Sequence, residues 1–299
     1  MRQLGMYING NYKVKIFSDG TKVRETNENE FIAAFPENMD VKITNQCDMG
    51  CIFCHEDSKI DGKHGDILNQ IFINTLHPYT EMAIGGGNPL SHPDLIPFLE
   101  KLKVKKIIAN ITVNQVHFET SQELIKKLVN EKLIYGLGVS LVDASKGFVE
   151  LIKQYDNAVI HVINGVLKPS DIEVLKDNDL KMLILGYKHF RRGISWYEVR
   201  QDDITTKQEW LYKNLAEITK QFKVVSFDNL AIEQLNVKRL MSEKDWNEFY
   251  MGDDGMYTMY VDLVNQNFAR CSVAEKRYGL LDNIEDMFNI VRDEKLAMK

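Results

Sequence analysis

Two hydrophobic rhythms run along the chain. Through residue 39, short β-prone runs at 6–8, 12–17 and 21–25 are separated by Asn9-Gly10-Asn11 and Ser18-Asp19-Gly20. Asn-Gly and Asp-Gly between such runs are strong hairpin signals, so a small β-meander is predicted. From about Asp40, short apolar runs at 41–44, 82–85, 106–113, 135–141, 158–163 and 182–185 alternate with helical stretches at 93–102, 122–132, 146–155 and 171–176. Ser91, Thr120 or Ser121, Ser145 and Ser170 stand where helix-starting side chains are needed. Leu124, Ile125, Leu128 and Val129 form a stripe that fits a helix lying on a sheet. Strand, helix and strand repeated in this way imply right-handed crossovers and a parallel sheet. A longer helix at 207–222, a strand at 223–227, a helix at 243–250, a hairpin of 257–264 and 268–271 around Asn265-Gln266-Asn267, and a helix near 284–291 complete the pattern.

With 299 residues and 44% hydrophobic content, the chain is large enough for one or two domains with a sizeable core. A net charge of −6 argues against nonspecific nucleic-acid or anionic-membrane binding as the main activity. Residues 1–10 lack a signal-peptide apolar run, and no stretch approaches the roughly 18–20 apolar residues of a membrane span. A cytoplasmic protein with no membrane partner is the expectation. Composition becomes informative only at cysteine. Of four cysteines, Cys47, Cys51 and Cys54 fall within eight residues, a local cluster that reads as reduced thiolates binding metal rather than a disulfide framework.

The loop Cys47-Asp-Met-Gly-Cys51-Ile-Phe-Cys54 follows the 41–44 strand. Three thiolates at this spacing fit three irons of a [4Fe-4S] cluster and leave the fourth iron open. A zinc site completed by His55 is the alternative, weakened because His55 adjoins Cys54; buried free thiols are another. The segment Thr44-Asn-Gln-Cys47 through Cys54-His-Glu, with aromatic Phe53 before the third cysteine, resembles the signature loop of the radical S-adenosylmethionine (radical SAM) superfamily. The strand ending Ile84-Gly85-Gly86-Gly87-Asn88-Pro89 is similar to the family's Gly-Gly-Glu-Pro motif, whose backbone holds the methionine amino group of S-adenosylmethionine (SAM). Asn88 stands where the family has Glu, so a carboxylate contact becomes an amide contact. A plain glycine-rich turn is the alternative.

The resemblance extends over about residues 40–230 and implies a partial (β/α)6 TIM-like barrel within an α/β fold. A meander at 1–39 would precede it and a C-terminal α+β extension at 231–299 would follow, the two covering the barrel mouth. Sites at the C-terminal strand edge are usual in such folds. Ser140 and Asp143 then fall near the SAM ribose; His161, Asn164 and Gly165 near the adenine; and Gly186, Tyr187 and Lys188 over the adenosine. His161 reads equally as a core histidine. Lys188, Arg191 and Arg192 could bind the SAM carboxylate or an acidic substrate, or simply face solvent. The lysines at 101, 103, 105 and 106 read as a solvated helix end.

The implied chemistry is one-electron reduction of the cluster, cleavage of SAM to methionine and a 5′-deoxyadenosyl radical, and hydrogen abstraction from a peptide or small molecule. A flavodoxin- or ferredoxin-like electron donor is implied as partner. Around Cys271 the sequence is similar to the hairpin that opens a SPASM/twitch-like auxiliary-cluster domain, but one cysteine is too few for a second cluster. Cys271 is thus a candidate hydrogen-atom donor, or a small packed residue. An activase that installs a radical on a partner enzyme, and a non-catalytic cluster-binding protein, remain alternatives.

Overall fold

In the computed structural model, which describes residues 1–297, the chain forms two sheets. β1 (Gln3–Asn9), β2 (Tyr12–Phe17) and β3 (Lys22–Glu25) make the antiparallel meander. β4 (Asn38–Thr44), β5 (Glu81–Gly86), β6 (Ile108–Asn114), β7 (Gly136–Ser140), β8 (Ala158–Ile163), β9 (Lys181–Leu185) and β10 (Val224–Phe227) then pair in chain order, each parallel to the next. Their crossovers carry α1 (Leu95–Val104), α2 (Gln115–Thr120), α3 (Gln122–Asn130), α4 (Lys146–Ile152), α5 (Pro169–Leu175) and α6 (Arg192–Ile218), and α7 (Asn229–Leu235) follows β10. This is the parallel α/β architecture that the alternating pattern predicts.

The two sheet faces differ in chemistry because side chains alternate along each strand. One face presents Met39, Val41 and Ile43, then Met82 and Ile84, Ile111 and Val113, Leu137 and Val139, and Ile160 and Val162, in register across the strands. These pack into one core with Phe98 and Leu102 of α1, Leu128 of α3, Phe148 of α4 and Leu175 of α5. Each such side chain contributes about 1.5–3 kcal/mol of burial, which fixes the register. The other face carries Asp40, Lys42 and Thr44, then Asn110, Thr112 and Asn114, Ser140 and His161. A parallel sheet with a polar second face encloses a lumen rather than a second helix layer.

α6 departs from the expected 207–222 helix by starting at Arg192, and Arg200 (φ −127°, ψ 24°) breaks it into two parts. Its first part leaves Ile194 and Val199 exposed, so no apolar stripe announces it. The meander also differs from expectation. Glu37, buried just before β4, accepts from Arg24 Nε at 2.8 Å and Tyr12 Oη at 2.6 Å, and Lys22 reaches Glu81 at 2.6 Å. Glu37 and Glu81 mark the N-terminal ends of β4 and β5, so the meander sits at the rim opposite the cysteine loop, not over it.

The C-terminal segment extends the sheet where a cover was expected. After α8 (Glu243–Phe249), β11 (Thr258–Asp262) pairs parallel to β4, with β12 (Asn267–Ala269), β13 (Tyr278–Gly279) and α9 (Ile284–Ala297) beyond it. Asn229, opening α7 after the edge strand β10, donates to Gly252 O at 3.3 Å and Asp254 Oδ1 at 2.6 Å, joining that edge to the segment leading into β11.

Candidate functional site

The cysteine loop grows from the end of β4. Asn45 N donates to Lys63 O, Lys59 N to Asn45 O and Cys47 N to Lys59 O, at 2.8–3.0 Å, so residues 45–63 fold back on themselves. Cys54 N closes a turn onto Cys51 O, and Gly50 takes a φ of +59° with open space beside it. Glycine is needed there for backbone conformation rather than for room. All three thiols are half-buried, and burial pushes Cys47 and Cys51 up from the ordinary thiol value.

A single ion needs its ligands converged on one point, whereas a cluster takes one thiolate per iron. Among the described residues, Cys47, Asp48 and His117 are the trio whose ligand atoms lie within 4.8 Å of one another; the three cysteines with His55 do not converge in this way. His55 Nε2 is instead 3.2 Å from Lys188 Nζ and 3.5 Å from Glu56 Oε1. The donor set suits a cluster better than a Cys3His zinc site.

The glycine run is stitched to the root of this loop. Gly87 N donates to Thr44 O at 2.8 Å and Asn88 N to Gln46 O at 2.7 Å. A Cβ on Gly86 (φ +112°) would lie 2.4 Å from Thr44 O, and one on Gly87 2.2 Å from Gln46 O. These two glycines are therefore demanded by the protein's own backbone. Gly85 has nothing within 4 Å of a Cβ, so its side of the chain is open to a ligand. The Asn88 side chain accepts from Leu90 N at 3.1 Å and caps the turn Pro89–Ser91, so its oxygen is already committed and the expected amide contact falls to its Nδ2. Phe53 is half-buried, its carbonyl facing Gly193 at the start of α6.

Ser140 ends β7 opposite His161 on the lumen face. A Cβ on Gly138 would lie 2.4 Å from the His161 ring, so the glycine makes room for the imidazole. Burial depresses His161 to about 4, and among the described residues its ring has no hydrogen-bond partner. It is thus a neutral lumen histidine, not a satisfied core one. Asp143 is exposed, and its carboxylate pairs with Lys168 at 3.1 Å.

Asn164, Gly186 and Tyr187 form a scaffold at the ends of β8 and β9. Asn164 Nδ2 and Tyr187 N both donate to Gln234 Oε1 of α7, Gln234 Nε2 returns a bond to Tyr187 O, and Gly186 N donates to Asp228 Oδ1. Arg191 and Arg192 are not free cations; they donate to the carbonyls of Glu56 and Ser58, clamping the segment after Cys54. Lys188 is the cation that stays inside. Its Nζ lies 2.9 Å from Ser272 Oγ and 3.2 Å from His55 Nε2, linking the cysteine loop to the neighbour of Cys271. Cys271 is half-buried, and burial followed by the Asp254 carboxylate pushes its thiol up.

Sequence reasoning missed the charged residues behind the loop. Lys42 Nζ lies 2.8 Å from Glu56 and 3.4 Å from Asp262, while Tyr260 Oη donates to Glu56 at 3.1 Å. Burial opposes ionisation of Glu56, but the neighbouring His55 ring and the Lys42 ammonium outweigh it and hold the carboxyl at about 2. Asp40 is solvent-accessible although protein surrounds it, and among the described residues its carboxylate has no hydrogen bond or ion pair. The protein surrounding it, then Asp254, Asp228 and Glu56, push it up to about 6 against the pull of Lys188. Charged residues at alternating positions of β4 were the available signal. Because its folded value lies above its unfolded one, Asp40 favours the fold below about pH 4 and penalises it as pH rises through 6. Asp40→Asn should therefore raise the thermal midpoint at pH 7.5, with the gain vanishing toward pH 4 in calorimetry.

No family model matches the chain. Probable GTP 3′,8-cyclases of Pyrococcus abyssi and Pyrococcus horikoshii are 20% and 19% identical over 139 residues, 45% of this chain. The matches span 44% and 43% of those proteins, less than half their length. The crystal structure of Streptococcus suis SuiB bound to S-adenosylmethionine superposes with a TM-score of 0.57 at 15% identity, covering 88% of this chain and 66% of that one. SuiB bound to its precursor peptide SuiA gives 0.53 at 16% identity, covering 89% and 67%. The likeness shows the fold, which is that of SuiB, a protein solved with S-adenosylmethionine bound. No helix among the described residues is long and apolar enough to cross a membrane.

Proposed function

We propose that this chain is a radical SAM enzyme, with Cys47, Cys51 and Cys54 holding a [4Fe-4S] cluster and the Gly85 edge receiving SAM. The reading rests above all on the two hydrogen bonds from Gly87 and Asn88 to Thr44 and Gln46, which set the open Gly85 edge against the root of the cysteine loop. When bound, the two groups supply reductive cleavage of SAM and a 5′-deoxyadenosyl radical that takes hydrogen from the substrate. The chain's own residues do the rest. Gly85 leaves its backbone approachable. Lys188 and His55 tie the loop to the C-terminal segment, while Arg191 and Arg192 fix the loop's far end. Asn229 ties the β10 edge to the segment before β11.

The same reading divides the chain into a meander at 1–39, a barrel at 40–230 and an extension at 231–299 that lends β11 to the barrel sheet. Cys271, beside the Lys188–Ser272 contact, is the candidate donor of a hydrogen atom to a substrate radical. A flavodoxin- or ferredoxin-like protein supplies the electron. The substrate we favour is a peptide, because the likeness to SuiB, solved with its precursor peptide, covers nearly the whole chain. A small molecule is the second reading, on the strength of the relatives named GTP 3′,8-cyclase. Peptides encoded beside the gene should raise 5′-deoxyadenosine formation several-fold, with GTP left intact; consumption of GTP instead would favour the second reading.

Two glycine variants separate ligand approach from folding. Gly85→Ala should melt like the wild type yet bind SAM about tenfold more weakly in equilibrium dialysis. Gly86→Ala, with its Cβ against Thr44 O at positive φ, should lower the melting temperature by roughly 5 °C or more. If Gly85→Ala binds SAM normally, the Gly85 edge is not the SAM contact.

A further inference from the structure

Cys47, Asp48 and His117 meet in a way that cluster ligation leaves unexplained. His117 projects from α2, is only 6% exposed, and places Nε2 2.6 Å from Asp48 Oδ1. Its Nδ1 is buried and has no hydrogen-bond partner among the described residues. The ligand atoms of all three residues lie within 4.8 Å of one another. The Asp48 side chain is 64% exposed, which gives an ion a route in from solvent.

We infer that Cys47, Asp48 and His117 form a mononuclear divalent-cation site, occupied only while Cys47 is free of the cluster. The exclusive use of Cys47 rests on the function proposed above; the site itself rests on geometry alone. One thiolate, one imidazole and one carboxylate suit a borderline ion such as Zn²⁺, Co²⁺ or Fe²⁺, with water in the fourth position. The ion binds His117 Nε2 and the Asp48 carboxylate, the ring proton passes from Nε2 to Nδ1 so that the imidazole stays neutral, and the Cys47 thiol proton leaves to solvent. A zinc ion seated there withholds one of the three cysteines and blocks cluster assembly.

The test is anaerobic titration of cluster-free full-length protein with Co²⁺, read by thiolate-to-cobalt charge-transfer absorption. One Co²⁺ per chain is expected. Cys47→Ala should abolish the band, and His117→Ala should weaken binding about tenfold or more. Asp48→Asn, an exposed change that spares the fold, should weaken binding as well. Cys51→Ala should leave it intact. Protein with a reconstituted cluster should bind none. In reconstitution with equimolar Zn²⁺, Asp48→Asn and His117→Ala should retain more cluster than the wild type. The inference is overturned if Cys51→Ala abolishes cobalt binding while Asp48→Asn and His117→Ala do not, since the ion then sits on the three cysteines. Failure of the wild type to form any cluster would strike the proposed function and leave the cobalt result to stand or fall alone.

Discussion

Replacing Cys54 by serine should leave a folded protein that holds no intact cluster and makes no 5′-deoxyadenosine above background. Anaerobic reconstitution of the wild type should bind about four irons per chain, give a brown solution, and bleach with dithionite, as a [4Fe-4S] centre does. The expectation follows from the loop's construction. The backbone bonds that shape it run through Asn45, Cys47, Lys59 and Lys63, and Arg191 and Arg192 clamp the carbonyls of Glu56 and Ser58. None of these depends on the Cys54 sulfur, so the thiolate can be removed without unfolding the loop. The same holds for Cys51, whereas Cys47 also serves the cation site inferred above. Wild-type protein that is first stripped of zinc and then still takes up no iron on anaerobic reconstitution would contradict the cluster assignment.

The largest expected effect on stability belongs to Glu56. Glu56→Ala leaves Lys42, itself only 2% exposed, with Asp262 at 3.4 Å as its remaining carboxylate. It also strips Tyr260 Oη of its acceptor. Removing one member of a buried pair costs about 3–5 kcal/mol, because the other charge stays desolvated. Asp262 offsets part of this, so urea melts should show a loss of about 3 kcal/mol. Replacing the whole group, Lys42→Met with Glu56→Leu and Asp262→Asn, should recover most of it, since neither Lys42 nor a carboxylate that it pairs with is then left as an uncompensated buried charge. The pH dependence has a definite sign. The folded carboxyl is held at about 2, below its unfolded value, so its stabilisation is present above about pH 4.5 and fades as pH falls toward 2. A wild-type acid limb that persists unchanged in Glu56→Gln would show that other groups carry it.

Glu56 also shows how far the sequence can be read. The strands were legible because each places apolar residues on one face, and the three cysteines were legible because their spacing is local. The glycine run was legible as a motif, but the reason for it divides: Gly86 and Gly87 yield to the Thr44 and Gln46 carbonyls, and Gly85 alone stands open. Pairing across long sequence separations left no local trace. The partnership of β11 with β4, the bridge from Asn229 to Asp254, and the hub that Glu56 makes with Lys42 and Tyr260 each join segments whose side of the fold a linear pattern does not specify. Arg191 and Arg192 illustrate the converse. Two cations after β9 suggest binding of an anionic ligand, yet both are spent inside the chain, on the carbonyls of Glu56 and Ser58 and the carboxylates of Glu56 and Asp57. His117 gave no periodic signal, sitting on a six-residue helix whose place beside Asp48 depends on the parallel pairing of β6 with its neighbours.

The proposed function has the open Gly85 edge and the cysteine loop acting together to cleave SAM. Its most direct test is a single-turnover assay of anaerobically reconstituted wild-type protein with SAM and dithionite, analysed for 5′-deoxyadenosine by chromatography. The proposed function predicts 5′-deoxyadenosine and methionine in equal amounts from the wild type, and none from Cys51→Ala. Protein that carries a full, reducible cluster and binds SAM, yet releases no 5′-deoxyadenosine with or without added peptide, would contradict it.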